Sequence, residues 1–394
     1  MTATSAIASA DWIETAKSLA GAIASYRDES EALRQMAPAL FEAIRETGVF
    51  DMMVPKALGG PQTDFETHLR LLEEISRQDG STGWNVMIWS AQGMFADYFS
   101  PEAAREILSK GSGNLIAGAL NPTGMGVEVE GGFRVSGRWS FASGCQYATW
   151  LIAGFVVMDG EHPRFGAEGI PELRLGLIPA GNCEIIDTWH TAGLKGTGSH
   201  DFQVRDTVIP IERTVMLPRL FIGPEPRPGT AYRTPFADLG GTTLAAVGLG
   251  IARDAIDSFK AMAAGKTPAI GITPLGSLHT IHEKVGRAEA LLRSARAYLF
   301  ETVRGVTSVH QAGAPVEDDD RAAMRLAATY AAHCAVETVD VVFDAAGGSS
   351  VYASSRLERC FRNAHMITHH MLVSPTNIEM VGQYLLGGGL QIRR

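Results

Sequence analysis

The sequence predicts an α+β chain in three parts. An N-terminal helical domain is expected over residues 1–114, a central β-barrel or sandwich over 115–228, and a C-terminal bundle of long helices over 229–394. Three observations carry this expectation. In the first and last parts, apolar residues recur at three- and four-residue spacing, as amphipathic helices require. Between them lie short apolar or alternating runs punctuated by Gly and Pro, the pattern of strands and turns. And 394 residues exceed what one compact core usually holds.

Each element follows from local chemistry. The stretch ADWIETAKSLAGAIASYRDESEALRQMAPALFEAIRETGVF reads as helix, and DMMVPKALGGPQTD breaks it with Pro55, Gly59, Gly60 and Pro61. Asp64 is the expected N-cap of DFETHLRLLEEISRQD. GSTGWNVMIWSAQGMFADYF reads as an apolar helix. SPEAAREILSKG opens with Ser100 as N-cap, Pro101 at the first helical position and acid in the first turn. GFRVSGRWSF, TWLIAGFVVM, LRLGLIPA, CEIIDTW and HDFQVRDTVIP read as strands, with EGGF as a hairpin turn. After the proline-rich LPRLFIGPEPRPGTAYRTP, three long helical patterns follow. TTLAAVGLGIARDAIDSFKAMAAG carries small residues suited to packing between subunits of a homo-oligomer, a dimer or tetramer. LGSLHTIHEKVGRAEALLRSARAYLFETVRGVTSVHQAG is amphipathic, and DDDRAAMRLAATYAAHCAVETVDVVFDAAG begins with acids.

Composition narrows the function classes. Hydrophobic residues make up 45% and charged residues 20%, enough to bury a large core. The formal net charge is -9 and no basic run stands out, which argues against a nucleic-acid partner. The most apolar stretch, ATWLIAGFVVM, is well short of a membrane span. The N-terminus lacks the charged start and apolar run of a secretory signal, so a soluble cytoplasmic protein is expected. Cys145, Cys183, Cys334 and Cys360 form no CxxC pair and read as reduced thiols. No GxGxxG follows a strand, so no Rossmann site is indicated.

The chemistry-bearing stretch is RNAHMITHHMLVSPT, residues 362–376, with His365, His369 and His370. On a helix, His365 and His369 share a face, whereas His369 and His370 point about 100° apart. Such histidines clasp a metal, act as acid–base groups, or line a polar cleft. A metal site is not expected, because HMITHH lacks the glutamate of HEXXH and no third ligand lies near.

Several fragments resemble the acyl-CoA dehydrogenase fold over nearly the whole chain. These are VPKALGG, GALNPTG followed by GGFRVSGRWSFASG, GLKGTGSHDFQVRDTVIP, and FDAAGGSSVYASSRLERCFRNA, in the family's order. The resemblance implies a four-helix bundle at the C-terminus. Departures point to a branch. Dehydrogenases place a glutamate base shortly after an Arg-Asp pair; here the pair is Arg362–Asn363, and no carboxylate occurs before Glu379. Their Arg-x-x-Phe-Gly stretch, which helps hold the FAD pyrophosphate, is replaced by AAGKTPAIG. WSFASG, GTGSHD, the late histidines and the tail VGQYLLGGG resemble the monooxygenase branch instead. That branch includes the oxygenase components of hydroxyphenylacetate hydroxylase and dibenzothiophene monooxygenase.

The resemblance implies an oxygenase component that receives reduced FMN or FAD from a separate flavin reductase. It uses O2 through a C4a-hydroperoxyflavin and oxygenates an apolar or aromatic small molecule. The alternative is an acyl-CoA dehydrogenase-like flavoprotein with its base elsewhere. His370 is the expected acid–base residue titrating near pH 7, with His369 beside it. Ser143 is either a turn residue before Gly144 or the hydroxyl that meets flavin N5. Asn121 is either an Asx turn or a substrate contact. Leu120, Trp139, Phe141, Gly144, Thr197 and Ser199 are expected around the flavin. Lys266, Arg287 and Arg293 are expected at its phosphate, with Gly347 and Gly348 from a neighbouring subunit. Trp84, Trp89 and Trp139 read as core or pocket lining, with Trp84 and Trp89 the candidates for a substrate pocket.

Overall fold

The structure, a computed structural model, describes residues 9–390 apart from 110, 112, 167–168, 226–229 and 268–271. The boundary expected at 228/229 and part of the AAGKTPAIG segment lie outside the described residues.

The helical opening is not one run. It divides into α1 (Ser9–Ser18), α2 (Ala20–Leu33) and α3 (Pro38–Glu46). The second break has a visible cause: Arg34 takes a left-handed backbone (φ 55°) and Pro38 starts the next helix. Asp64 caps α4 (Phe65–Gln78) by accepting from Thr67 N at 2.9 Å. Asp79 does the same for α5 (Gly80–Ser90), accepting from Thr82 N at 2.8 Å. Ser100 caps α6 (Pro101–Leu108) as its sequence predicts.

The central part is one mixed sheet. Its strands are β1 (Ile116–Val129), β2 (Gly132–Ala142), β3 (Trp150–Asp159), β4 (His162–Pro163), β5 (Leu173–Pro179), β6 (Glu184–Ile186), β7 (His200–Pro210) and β8 (Thr214–Met216). The order is β6-β7-β2-β1-β3-β5-β8, with β4 paired to β3. The EGGF turn joins β1 to β2 with Gly131 at φ +77°, a conformation glycine adopts without strain. The β1–β3 pair is parallel, a feature no local pattern announces. Its register shifts between Ala119 and Gly124, so Leu120 and Asn121 form a bulge. A Cβ on Gly154 would lie 2.5 Å from Leu120 O, so only glycine lets that bulge sit against β3.

After α7 (Arg219–Ile222), the bundle comprises α8 (Phe236–Gly265), α9 (His279–Gln311), α10 (Asp318–Ala346), α11 (Arg356–Ile367) and α12 (Thr376–Leu385). Helix α8 packs against α4, α5, α10 and α11. Its small-residue stretch is therefore core of this chain rather than a free face. Asp238 on α8 is buried and holds Arg325 at 2.6 Å and Arg321 at 3.2 Å, locking α8 to α10. Helix α10 is long and apolar enough to pass a membrane-length test, but its apolar face is buried in the bundle.

Candidate functional site

Where the sheet meets the helices, four polar side chains form one buried chain. Trp84 on α5 donates its indole N–H to Ser143 Oγ at 3.0 Å. Ser143 lies 2.6 Å from Ser199 Oγ, and Ser199 lies 2.7 Å from Thr197 Oγ1. Thr197 Oγ1 donates to Leu194 O at 2.8 Å. Local backbone builds this arrangement. Gly144 takes φ +70° and donates its N–H to Thr197 O at 2.9 Å, joining the end of β2 to the loop before β7. A Cβ on Gly144 would stand 2.6 Å from the Trp89 ring. Leu194 is itself left-handed (φ 50°), and its N–H is held by Asn363 Oδ1 at 2.7 Å. Arg362 holds Ala192 O at 2.6 Å, and Asn85 holds Gly196 O at 3.1 Å. The Arg362–Asn363 pair of α11 thus anchors the loop that carries the hydroxyls.

Ser143 borders an exposed aromatic lip. Phe141 is 65% exposed and left-handed (φ 69°), a conformation that costs a non-glycine residue about 1 kcal/mol or more. Its ring stands edge-on to Trp189 at 6.2 Å. The Trp189 indole in turn donates to Leu194 O at 3.1 Å. A strained, solvent-facing aromatic beside a hydroxyl with a spare lone pair fits a flat heteroaromatic group such as a flavin ring.

The three histidines part company, because α11 stops at Ile367. The expected helical offset between His369 and His370 therefore does not apply. His365 binds Asp340 of α10 at 2.8 Å. His369 is exposed in the turn. His370 caps a short 3-10 helix, Met371–Val373, accepting from Leu372 N on Nδ1 at 3.2 Å. That bond leaves the proton of the neutral ring on Nε2. Its ring meets Trp84 edge-on at 6.1 Å. Gly240 and Gly241 of α8 admit this segment: a Cβ on either would lie about 3 Å from Leu372. His333 of α10 supports it, its Nε2 lying 3.2 Å from Val373 O. Burial pushes the His370 imidazole down to about 4, so it is neutral at pH 7 rather than titrating there.

Other expected residues sit elsewhere. Trp139 is buried in the sheet core, stacked on Phe202 at 4.9 Å, with its N–H on Gly154 O; its side chain is closed to a cofactor. Trp89 is fully buried among Phe41, Phe50 and Tyr147 and lines no opening. Thr197 and Ser199 are buried and reach the site through Ser143. Leu120 is half-buried and Asn121 exposed on the β1 bulge. Lys266 donates to Ala346 O at 2.6 Å, next to Gly347 and Gly348. Arg287 pairs with Glu337 and Arg293 with Glu289, both on the bundle surface. No contact within this chain joins these basic groups to Ser143 among the described residues. Sequence reasoning missed Leu194, Trp189, Asn85 and the anchoring role of Asn363. The glycine spacing of GLKGTGS was the available signal.

Known proteins resemble this chain over most of its length. Residues 13–111 match the family model for the acyl-CoA dehydrogenase N-terminal domain, and residues 242–375 that for the C-terminal domain. Indole-3-acetate monooxygenase of Pseudomonas putida is 31% identical over 360 residues, spanning 91% of this chain and 89% of that protein. The chain belongs to the acyl-CoA dehydrogenase family, in its monooxygenase branch. The FADH2-dependent resorcinol hydroxylase oxygenase component of a Rhizobium species is 28% identical, over 91% of this chain and 90% of that protein. Among solved structures, 3-HSA hydroxylase from a Rhodococcus species superposes with a TM-score of 0.87 at 25% identity, over 96% of this chain and 97% of the other. Within this family Asn363 replaces the aspartate of the dehydrogenase Arg-Asp pair. Its amide oxygen accepts from Leu194 N, so that position serves to anchor the loop that carries the hydroxyls.

Proposed function

We propose that this protein is the oxygenase component of a two-component flavin-dependent monooxygenase acting on an aromatic small molecule. Reduced FMN or FAD would come from a separate reductase. The observation that carries this reading is the Ser143 hydroxyl, oriented by Trp84 at the foot of the Phe141–Trp189 lip, with His370 against the other side of Trp84. When bound, reduced flavin supplies the two electrons that reduce O2, so that one oxygen atom reaches substrate and the other leaves as water. Ser143 would hold the flavin edge through its oxygen. Phe141 and Trp189 would help exclude water from the ring, which limits loss of reducing power as peroxide. His370 offers a neutral Nε2–H beside the reacting atoms and keeps a proton available without carrying charge. Lys266, Arg287 and Arg293, which lie apart from Ser143 in one chain, are assigned to a flavin phosphate held across a subunit boundary. The exposed Tyr298–Tyr330 pair on α9 and α10 supports a homo-oligomer.

The deciding experiment supplies the protein with reduced FMN or FAD, labelled O2 and a panel of indoles and phenols. One labelled oxygen per product, with substrate-dependent suppression of hydrogen peroxide, is expected. Anaerobic bleaching of bound oxidised flavin by an acyl-CoA would show a dehydrogenase instead.

A further inference from the structure

The O···O contacts of the buried hydroxyl chain, 2.6 to 2.8 Å long, each need one hydrogen between their oxygens, and this fits one proton order. An indole N–H can only donate, and a carbonyl oxygen can only accept. Trp84 stands at one end and Leu194 O at the other. Thr197 therefore spends its proton on Leu194 O. Ser199 must then donate to Thr197, at 2.7 Å, and Ser143 must donate to Ser199, at 2.6 Å. Thr197 and Ser199 are buried, at 0% and 4% exposure, so water cannot stand in for a missing partner of either, whereas Ser143 borders the exposed lip. Leu194, the fixed end, is held by Asn363 through its N–H, and its carbonyl also accepts from Trp189 and from Thr197 N.

We infer that this chain orients the Ser143 hydroxyl so that it faces the cofactor only as an acceptor, and thereby selects reduced over oxidised flavin. The inference rests on the reading that flavin N5 meets Ser143. Reduced flavin carries N5–H, a donor that suits the spare lone pair of Ser143. Oxidised flavin has a bare N5, an acceptor, and finds no proton there. Offering one would require turning Ser143, Ser199 and Thr197 together and stripping Thr197 from Leu194 O. That costs one buried hydrogen bond, or about tenfold in relative affinity. Ser199, Thr197 and Trp84 are positioning residues: they act through Ser143.

The test is binding of both redox states of FMN and FAD, by fluorescence titration for the oxidised and anaerobic titration for the reduced, with the midpoint potential of bound flavin. Ser199→Ala frees the Ser143 proton. Oxidised flavin should then bind about tenfold tighter while reduced flavin binds as before, lowering the midpoint potential by about 30 mV. Thr197→Val, nearly isosteric, removes the far end and should act in the same direction. Ser199→Thr keeps a hydroxyl and should retain the wild-type ratio. Ser143→Ala should weaken reduced flavin alone. If Ser143→Ala does so but Ser199→Ala and Thr197→Val keep the wild-type ratio, the chain does not set polarity and the inference fails while the site assignment stands. If Ser143→Ala also changes neither redox state, flavin does not sit on Ser143, and the assignment falls together with the inference.

Discussion

Lowering the pH from 7.5 to 4.5 should remove several kcal/mol of folding stability, with the two imidazoles of His68 and His370 as large contributors. His68 on α4 is fully buried; its Nε2 lies 2.8 Å from Ser90 Oγ and its Nδ1 has no hydrogen-bond partner. Burial pushes its imidazole down to about 3, and that of His370 to about 4. In the unfolded chain both take a proton near the ordinary value of about 6.5. Because the folded values are depressed, the unfolded state binds protons first as pH falls. Stability is therefore full above about 6.5 and is lost progressively from there toward 4 and 3. At pH 4.5 linkage gives on the order of 2–3 kcal/mol for fully buried His68 and at most that for half-buried His370, since about 1.4 kcal/mol accompanies each tenfold excess of proton. Glu66, which Arg304 holds at about 2, adds only a few tenths at that pH. Urea unfolding at a series of pH values measures this directly, and His68→Gln or His370→Gln should each reduce the slope. A loss below about 1 kcal/mol, or a full loss that survives in both variants, refutes the reasoning.

Other outcomes follow from the same geometry. Gly144→Ala places a methyl 2.6 Å from the Trp89 ring at a left-handed residue, and should cost about 2–3 kcal/mol by thermal melting and weaken flavin binding. Asp238→Asn leaves buried Arg325 without its counter-charge, while Arg321 keeps Asp318, and should cost about 3 kcal/mol in urea unfolding. His370→Ala should cut oxygenation on the order of 10²-fold or raise peroxide release, whereas exposed His369→Ala should leave product per reduced flavin unchanged. A chelator should leave turnover intact, since His365 is committed to Asp340 and the three histidines do not converge; loss restored by zinc would overturn this.

Much of the site was legible in the sequence because the family motifs are short and contiguous. WSFASG and GTGSHD bring Ser143, Thr197 and Ser199 into view, and the structure joins them within hydrogen-bond distance. Trp84 and His370 were also visible, but the contact between them was not. Of the two readings of Trp139 the structure shows the core one: its motif borders the candidate site while its side chain turns inward, because alternate residues of a strand face opposite sides. The relation of His369 to His370 misled because a helix was extended past its end at Ile367. No glycine or proline marks that stop.

Periodicity, caps and turn residues act within a few positions, so the sequence by itself determined the order of helices and strands, the caps at Asp64 and Ser100, and the family. Which faces meet depends on contacts between residues far apart in the chain. Tertiary structure alone decided the parallel β1–β3 pairing, the burial that keeps His370 neutral, and the polarity of the Ser143 hydroxyl. The last is fixed by the Leu194 carbonyl, which only accepts, and the Trp84 indole, which only donates, 51 and 59 positions from Ser143 and brought to it by packing.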